Sequence, residues 1–424
     1  MLDMMLQNGR LADQDEPVDI MIRGGVIVDL APNLVADMPS FNLNGALVCN
    51  GFVETHIHLD KACLADRCGH HDGTLASAIS SVAAAKADFT EEDVYDRGRR
   101  TIETAIVQGT NVMRTHVEVD PRVNLKSFDA VKRLKKDYAW ALDLQICVFP
   151  QEGLTNDPGT EELLRRALDQ GADLLGGCPY TDSDPHTQID RLFRLAAAFD
   201  VDLDFHLDFD LDPSWNHFDE VVRRTVFHGW QGRVTVGHMT KLSMLPPTKL
   251  QAIAKRLVDA DIAVTVLPST DLFLMGREQQ YAVPRGVAPA RLLAEQGVRC
   301  SISTNNVLNP FTPYGDCSLV RMANLYANIA QIGDMLGLST CFDMVTEAAA
   351  RIVGRDHALE IGVPATLIAL PAAAKAKVVA EIIRPSFGMK NGRITFHQPK
   401  PELYGPDRSE AAFISSALPP SFAK

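Results

Sequence analysis

Short apolar runs and longer amphipathic segments alternate through the middle of the chain. Eight of the runs have the length and the flanking residues of buried strands. They are residues 52–58, 110–119, 142–149, 172–178, 201–209, 233–239, 262–268 and 299–305. The segments between them carry apolar residues at three- to four-residue spacing, and several end in Gly or Asp, as helices do. Eight such units predict an α/β protein built on a (β/α)8 TIM barrel.

The two ends of the chain carry a different, β-rich pattern. Residues 18–34 alternate apolar and polar positions around a Gly-Gly pair, which predicts a small hairpin. Residues 363–371 and 378–396 have the same character, and the second range contains an Asn-Gly turn. The ends are therefore expected to form β structure outside the barrel.

Composition and charge narrow the class of partner. The 424 residues carry a net charge of −13 and no cluster of lysine or arginine to form a basic face, which argues against nucleic acid and anionic membranes. No run approaches the ~20 apolar residues of a membrane-spanning helix, and the acidic N-terminus lacks the pattern of a signal peptide, so we expect a cytoplasmic protein. The eight cysteines show no paired spacing and are expected to be reduced thiols. The expected partner is a small molecule.

Polar residues collect at the carboxyl ends of the predicted strands, where TIM barrels carry their catalytic groups. The set comprises His56, His58, His116, Glu118, Gln151, His206, Asp208, His238, Asn305 and Asn306. His56 and His58 lie two positions apart, so their side chains share one face of a strand and both can bind one cation. A single pair of this kind more often lies on the surface, or in the core with its ring nitrogens hydrogen-bonded. With His206 and His238 at the ends of two further strands, a metal explains how so many imidazoles can be buried.

The motifs at these strand ends resemble the cytosine deaminase-like branch of the amidohydrolase superfamily. They are GFVETHIHLDK (51–61), RTHVEVD (114–120), LDLQICVFPQEG (142–153), GAD (171–173), DFHLD (204–208), VTVGHMT (234–240), LFLMGR (272–277) and NPFTPYGD (309–316). They follow the order of that family. The resemblance implies a hydrolase barrel over residues 50–352 and a composite β-sandwich domain formed by residues 1–49 and 353–424. It also implies a homo-oligomer.

The resemblance assigns roles to individual residues. It implies one divalent metal ion, Zn or Fe, held by His56, His58 and His206. His238 is then expected to touch the metal-bound water or a substrate oxygen, and Gln151 to hydrogen-bond a ring amide. These roles suit the side chains, because neutral imidazole binds such cations and an amide offers both a donor and an acceptor.

Two positions depart from the family's pattern. The eighth strand of the family ends in an aspartate that binds the metal and takes a proton, whereas this chain has Asn305. The deaminases carry a proton-delivering glutamate three residues after the strand-five histidine, whereas this chain has Phe209. Neither an amide nor a phenyl ring can act as a carboxylate base. Deamination of cytosine itself is therefore not expected.

Three explanations of these departures remain open. Asn305 could be an engineered substitution, although this would leave Phe209 unexplained. Other groups could move the protons, namely Asp208, two positions after the strand-five histidine, or Lys61 at the barrel mouth. The chain could instead be a degenerate member of the family.

The sequence thus predicts a metal-dependent amidohydrolase that cleaves a C–N bond of a small nitrogen heterocycle or cyclic amidine. Asn305 is expected to position the water, and Asp208 or Lys61 to supply a proton to the leaving group. His116 and Asn306 join the substrate-facing residues, although His116 is equally compatible with a residue that orients its neighbours and with a core histidine that has a backbone partner. The competing hypothesis is a protein that binds a heterocycle on the same fold without turnover.

Overall fold

The computed structural model describes residues 3–12, 14, 16–69, 72–355, 358–401 and 403. Five strands precede the barrel: β1 Met4–Leu11, β2 Val18–Arg23, β3 Val26–Ala31, β4 Ser40–Asn42 and β5 Leu47–Cys49. Strands β2 and β3 pair as the predicted hairpin, with Ile20 opposite Leu30. The last part of the predicted outer domain, residues 404–424, lies outside the described residues.

Eight parallel strands form the barrel and follow one another in sequence order. They are β6 Phe52–Ile57, β7 Thr110–Glu118, β8 Asp143–Phe149, β9 Leu174–Gly177, β10 Asp202–Leu207, β11 Val234–His238, β12 Ile262–Val266 and β13 Cys300–Ile302. Neighbouring strands pair in parallel register, as Leu203 does with Val234. Each predicted run contains one of these strands, which confirms the predicted fold class.

The barrel closes where the chain beyond β13 meets β6. The N–H of Asn305 donates to the carbonyl of His56 over 2.8 Å, and the N–H of His58 donates to the carbonyl of Asn305 over 2.9 Å. A parallel bridge between Ile57 and Asn305 marks the same register. Because closure runs through Asn305, backbone hydrogen bonds hold this residue between the two histidines of the first barrel strand.

A second sheet joins the two ends of the chain, as the sequence predicts. Its remaining strands are β14 Leu367–Leu370, β15 Phe387–Lys390 and β16 Arg393–His397. The strand order is β16-β15-β14-β5-β1-β2-β3, and β4 pairs with β1. Side chains from both ends, among them Ile20, Val48 and Phe387, fill a core of their own. On this basis we propose the division into a barrel and an outer domain that the sequence predicts.

Helices cover the outside of the barrel and follow its strands. Among the described residues they are α1 Leu75–Ala85, α2 Glu91–Val107, α3 Lys126–Asp137, α4 Thr160–Asp169, α5 Pro185–Phe199, α6 Phe218–His228, α7 Pro247–Asp259, α8 Pro268–Leu274, α9 Ala290–Glu295, α10 Leu319–Ile329, α11 Met335–Asp343, α12 Glu347–Ile352 and α13 Lys375–Glu381. Helix α2 shows how the sequence specifies them: Thr90 caps its first turn by accepting the N–H of Asp93, and Val94 and Ile102 lie on its buried face. Each helix among the described residues is too short or too polar to span a bilayer.

Candidate active site

Four histidines converge at the carboxyl end of the barrel. The Nε2 atoms of His56 and His58 each lie 3.1 Å from Nε2 of His206. Ring nitrogens of His56, His206 and His238 lie within 4.8 Å of one another. All four side chains are buried. The structure therefore brings the three predicted metal ligands together and sets the fourth predicted histidine beside them.

The chemistry of this cluster fits a divalent cation. Two nitrogens bound to one tetrahedral zinc lie roughly 3.3 Å apart, given Zn–N bonds of about 2.0–2.1 Å, and the observed separations are 3.1 Å. Burial, together with neighbouring positive charge, holds the pKa of His56, His58 and His206 well below the ordinary value. The neutral imidazole that binds metal is therefore favoured. The buried side-chain oxygen of Asn305 has no hydrogen-bond partner among the described residues, which also suits a cation nearby.

A small cavity lies beside the histidines. Its lining is His58, Lys61, Gln151, Tyr180, His206, Phe209, His238, Thr270, Asn305, Asn306 and Phe311. Seven of the ten predicted site residues belong to this set, and His56, His116 and Asp208 do not. A larger groove between α7 and α9, about 570 Å³ in volume, has no histidine in its lining. The chemistry therefore points to the small cavity as the candidate active site.

His238 is paired with a carboxylate that the sequence did not reveal. Its Nδ1 lies 2.6 Å from Oδ1 of Asp271, a buried residue of α8. Burial raises the pKa of Asp271, although His238 opposes the shift. Because Nδ1 is engaged in this bond, Nε2 is the ring nitrogen left for the cavity. Asp271 was missed because it precedes an apolar segment, LFLMG, that predicts only a pocket wall.

Phe209 occupies the position of the missing glutamate and packs against this pair. Its ring stacks on His238 with 3.7 Å between centroids and 25° between planes. It also lines the cavity. A phenyl ring here covers one face of the imidazole but moves no proton, and a titratable side chain that it touches is His238, the partner of Asp271.

Asp208 points away from the cavity, contrary to the expectation that it shares a face with His206. Strand β10 ends at Leu207, and Asp208 has a left-handed φ of 49°, so the alternation of side chains stops before it. Its carboxylate accepts the N–H groups of His217 over 2.8 Å and of Phe218 over 3.2 Å. Burial raises its pKa to about 6. Asp208 therefore caps the start of α6.

His116 lies behind the metal-side histidines. Its ring stacks on that of His56 with 3.7 Å between centroids. Its Nε2 is 3.4 Å from Oδ1 of Asp204, whose other oxygen accepts from Arg114 over 2.8 Å. This arrangement agrees with the orienting or core role considered from sequence more closely than with contact to a substrate.

Lys61 brings a buried positive charge to the cavity. Its ammonium donates to Oε1 of Glu118 over 2.7 Å and to Oε1 of Gln151 over 3.2 Å. The ring of Phe311 lies below it, with 4.4 Å from Nζ to the centroid. Burial acts to raise the pKa of Glu118, but Lys61 and a second lysine, Lys86, outweigh it and hold the pKa below its usual value. Glu118 is therefore an anion that fixes the direction of Lys61.

Lys86 is the centre of a buried charge cluster behind the cavity. It lies in the single 3-10 turn that follows α1, and its ammonium meets Glu118 at 2.8 Å, Asp120 at 2.7 Å and Glu152 at 2.5 Å. Its side chain is 1% exposed. The sequence pattern does not mark this cluster, because the lysine and its partners come from separate segments of the chain.

Loss of the Lys86 ammonium is expected to destabilise the fold. Lys86→Met is predicted to lower the free energy of unfolding by about 3–5 kcal/mol, because removing one partner of a buried ion pair leaves the carboxylates uncompensated. Lys255→Met is a matched control, since Lys255 is 73% exposed and pairs within α7 with Asp259, and a change below ~1 kcal/mol is expected there. Chemical denaturation measures both. Equal losses in the two variants would contradict the structural role of Lys86.

Comparison with known proteins identifies the family. The sequence model of the protein family described as "Amidohydrolase family" matches residues 122–396. The N-isopropylammelide isopropyl amidohydrolase of Pseudomonas sp. (strain ADP) is 26% identical over 406 residues, which cover 92% of this chain and 96% of that protein. The pterin deaminase of Rhizobium rhizogenes is 27% identical, with coverage of 82% and 81%. The crystal structure of 5-methylcytosine deaminase from Klebsiella pneumoniae liganded with 5-fluorocytosine has a TM-score of 0.90 at 26% identity, covering 95% of this chain and 99% of that one.

The matches to the ammelide hydrolase and to 5-methylcytosine deaminase extend over nearly the whole chain, and they agree with the strand-end motifs. They confirm the resemblance on which the sequence-based prediction of a hydrolase rests. Amidohydrolases generally use a divalent metal, in keeping with the histidine cluster. The chain belongs to the amidohydrolase family, in its cytosine deaminase-like branch, and is a hydrolase that acts on C–N bonds.

Proposed function

We propose that this protein is a mononuclear metal hydrolase that cleaves a C–N bond of a small nitrogen heterocycle, by deamination or by hydrolysis of a substituted ring amine or amide. The observation that carries the proposal is a group of three neutral histidines at the edge of a cavity lined by side-chain amides. The Nε2 atoms of His56 and His58 each lie 3.1 Å from Nε2 of His206. The names of the relatives, which refer to an ammelide, a pterin and a methylcytosine, support a ring substrate.

The metal ligands in this proposal are His56, His58 and His206, and the cation is Zn or Fe. The unpartnered oxygen of Asn305 faces the same region and serves to orient a water. When bound, the cation would lower the pKa of a coordinated water and so supply the nucleophile at neutral pH.

The cavity walls orient the ring in this proposal. Phe311 and Phe209 provide apolar surfaces for a flat heterocycle, and the Gln151 amide hydrogen-bonds its edge. Asn306 offers a second amide on the substrate side. These contacts hold the reacting carbon near the histidine cluster, and positioning of this kind is a large part of enzymatic rate enhancement.

Protons pass through His238 in this proposal. Asp271 engages Nδ1, so Nε2 can accept a proton during attack and return one to the leaving nitrogen. Lys61 remains the second candidate for the proton donor, because its ammonium lines the cavity. Asp208 is the weakest of the sequence-based candidates, since both of its oxygens accept backbone N–H groups at the start of α6.

Turnover of ring amines tests the proposal. Protein loaded with one equivalent of Zn or Fe is expected to release amine from amino-substituted oxopyrimidines, oxotriazines or pterins, and to leave cytosine intact. Ammonia release and ultraviolet absorbance of the ring measure the reaction. Binding of these rings by metal-loaded protein with no turnover of any would instead favour the competing hypothesis of a heterocycle-binding protein.

Asn305→Asp tests the position of Asn305 at the cation. Restoring the carboxylate is expected to raise metal affinity by about 10-fold or more, because a charged oxygen ligand replaces a neutral one. Metal content after dialysis against a weak chelator measures the effect. Asn309→Asp is a matched control, since Asn309 is buried nearby but lies outside the cavity lining and bonds to Asn306 and the carbonyl of Lys61. Equal retention of metal in the two variants would remove Asn305 from the metal site.

A further inference from the structure

A chain of hydroxyl groups runs from the cavity into the protein beside α8. Thr270 Oγ1 lies 2.7 Å from Thr312 Oγ1, and Thr312 Oγ1 donates to the carbonyl of Phe311 over 2.8 Å. Both threonine side chains are buried. Thr270 belongs to the cavity lining, whereas Thr312 stands outside it. The hydroxyl of Thr270 is therefore the end of the chain that a ligand meets.

The inner end of this chain fixes the direction of its hydrogen bonds. A carbonyl oxygen can only accept, so the single O–H of Thr312 is used on Phe311. In the contact between the two hydroxyls, Thr270 is then the donor and Thr312 the acceptor. Because a hydroxyl has one proton and two lone pairs, Thr270 has only lone pairs left for the cavity. Thr270 is therefore a hydrogen-bond acceptor toward a ligand.

The side-chain amides of the described lining have already used their oxygens in two cases. The oxygen of Gln151 accepts from the ammonium of Lys61 over 3.2 Å. The oxygen of Asn306 accepts from Nδ2 of Asn309 over 2.8 Å. A ligand N–H must therefore find its acceptor elsewhere in the cavity.

Two other side-chain oxygens of the lining also have a role. The hydroxyl of Tyr180 is engaged by Gln151 and Cys178. The oxygen of Asn305, which has no hydrogen-bond partner among the described residues, serves to orient the water in the proposed function. The lone pairs of Thr270 thus remain for an N–H of the substrate.

The place of Thr270 in the chain indicates which N–H it accepts. The next residue of α8, Asp271, holds His238 through a contact of 2.6 Å between Oδ1 and Nδ1. In the proposed function His238 returns a proton to the leaving nitrogen, so that nitrogen must lie within reach of this imidazole. A nitrogen placed there is beside the first turn of α8, where Thr270 can accept its N–H.

We propose that Thr270 is a specificity-determining residue that accepts an N–H of the departing amine, so that the enzyme selects ring amines with at least one N–H on that nitrogen over dialkylamino rings. This inference rests on the proposed function and names its class of leaving group. Hydrolysis adds one water: the oxygen and one proton stay with the ring, the C–N bond breaks, and the second proton departs on the amine. A dialkylamino ring has the same bond to break, but it leaves the lone pairs of Thr270 without a donor.

Matched rings test the inference on the full-length, metal-loaded protein. The probes are N-methylammelide and N,N-dimethylammelide, and the two pterins with the same substituents on the 2-amino nitrogen. The parent protein is expected to favour each methylamino ring by about 10-fold or more, since a site built to bond an N–H rejects the analogue that lacks it. Calorimetry gives this preference as a ratio of Kd values, and release of the amine gives it as a ratio of kcat/KM values.

Thr270→Val removes the hydroxyl and keeps the shape of the side chain. It is expected to lower the preference by about 3- to 10-fold, which corresponds to one hydrogen bond between neutral groups. The loss is expected in Kd and KM for the methylamino rings, with the dimethylamino rings within about 2-fold of the parent value. Thr312 still donates to Phe311 in this variant, so no buried donor is left without an acceptor.

Three further variants separate the hydrogen bond from packing. Thr270→Ser keeps the hydroxyl and is expected to keep the preference within about 2-fold of that of the parent. Thr312→Val removes the acceptor that fixes the direction of the Thr270 hydroxyl, whose O–H can then turn into the cavity, and is expected to lower the preference as Thr270→Val does. Thr225→Val is a matched control, because Thr225 is a buried threonine of α6 that donates to the carbonyl of Val221 and lies outside the lining. It is expected to leave the preference unchanged.

The outcomes distinguish this inference from the proposed function. Equal losses with methylamino and dimethylamino rings in Thr270→Val overturn the inference, because the hydroxyl then acts on the water or on packing. An unchanged preference in Thr312→Val overturns it as well, since the hydroxyl would not have the assigned direction. Equal affinity of the parent protein for the two rings of each pair, or no binding of either methylamino ring, overturns it and leaves hydrolysis of other ring amines to the turnover assay. A preference in Kd that depends on Thr270, without turnover of any ring, supports recognition of the N–H and contradicts the proposed hydrolysis.

Discussion

His206→Ala is expected to remove the bound cation and lower kcat/KM by roughly 10⁴-fold or more, a loss of about 5 kcal/mol in transition-state stabilisation. His206 is the best residue to test because its Nε2 is the atom that both His56 and His58 approach at 3.1 Å. Removing it separates the two remaining nitrogens from their common partner. Metal per chain by elemental analysis, and turnover of a ring amine, measure the two effects.

The control for this variant is His228→Ala. His228 lies on α6, stacks on Phe193 and is outside the cavity lining. Its loss is expected to leave metal content and turnover unchanged. Circular dichroism establishes that both variants are folded. Retention of one equivalent of metal and of most activity in His206→Ala would contradict the assignment of the histidine cluster as the metal site.

The sequence predicts the strands and the histidines well, because both depend on local pattern. Apolar runs bounded by turn residues fix the eight strands, and the carboxyl ends of parallel strands meet at one edge of a barrel. Residues at those ends must therefore lie together, whichever loops join them. This reasoning is sufficient to predict one site for the histidines that the structure brings together, namely His56, His58, His206 and His238.

The directions of side chains beyond the strand ends are harder to predict. Asp208, His238 and Asn305 have left-handed φ values of 49°, 69° and 64°. The two-residue alternation that holds inside a strand does not apply to such residues, and local propensity favours this conformation only weakly outside glycine. For this reason Asp208 was expected beside His206 but caps α6 instead.

Contacts between side chains that are distant in the sequence also cannot be predicted from a local sequence pattern. The carboxylate of Asp271 is 33 residues from His238, and Lys86 meets carboxylates 32 to 66 residues further along the chain. No spacing rule connects such residues, since their approach depends on how the helices after the strands pack. The departure from the family's pattern at Phe209 indicates that another residue must move the proton, and the structure identifies candidates for that residue.

Asp271→Asn is expected to lower kcat by about 10²–10⁴-fold, the range that general acid–base catalysis contributes, with KM and metal content nearly unchanged. The carboxylate of Asp271 accepts from Nδ1 of His238, so the proton is held there and Nε2 keeps the lone pair that can accept a proton. An asparagine can donate to Nδ1 instead and favour the opposite tautomer. Steady-state kinetics and elemental analysis measure the change, and Asp271→Glu is expected to recover part of the lost rate.

Asp208→Asn is the matched comparison. It neutralises in the same way a carboxylate that the sequence analysis considered as the proton donor. It is expected to cost about 0.5–2 kcal/mol of stability through weaker capping of α6, and to leave kcat within a few-fold of the parent value. The two variants differ only in which buried carboxylate is neutralised, so they separate the structural assignment from the sequence-based one. If Asp208→Asn loses turnover and Asp271→Asn keeps it, Asp208 moves the proton. In that case the carboxylate must leave its backbone donors at α6 during the reaction.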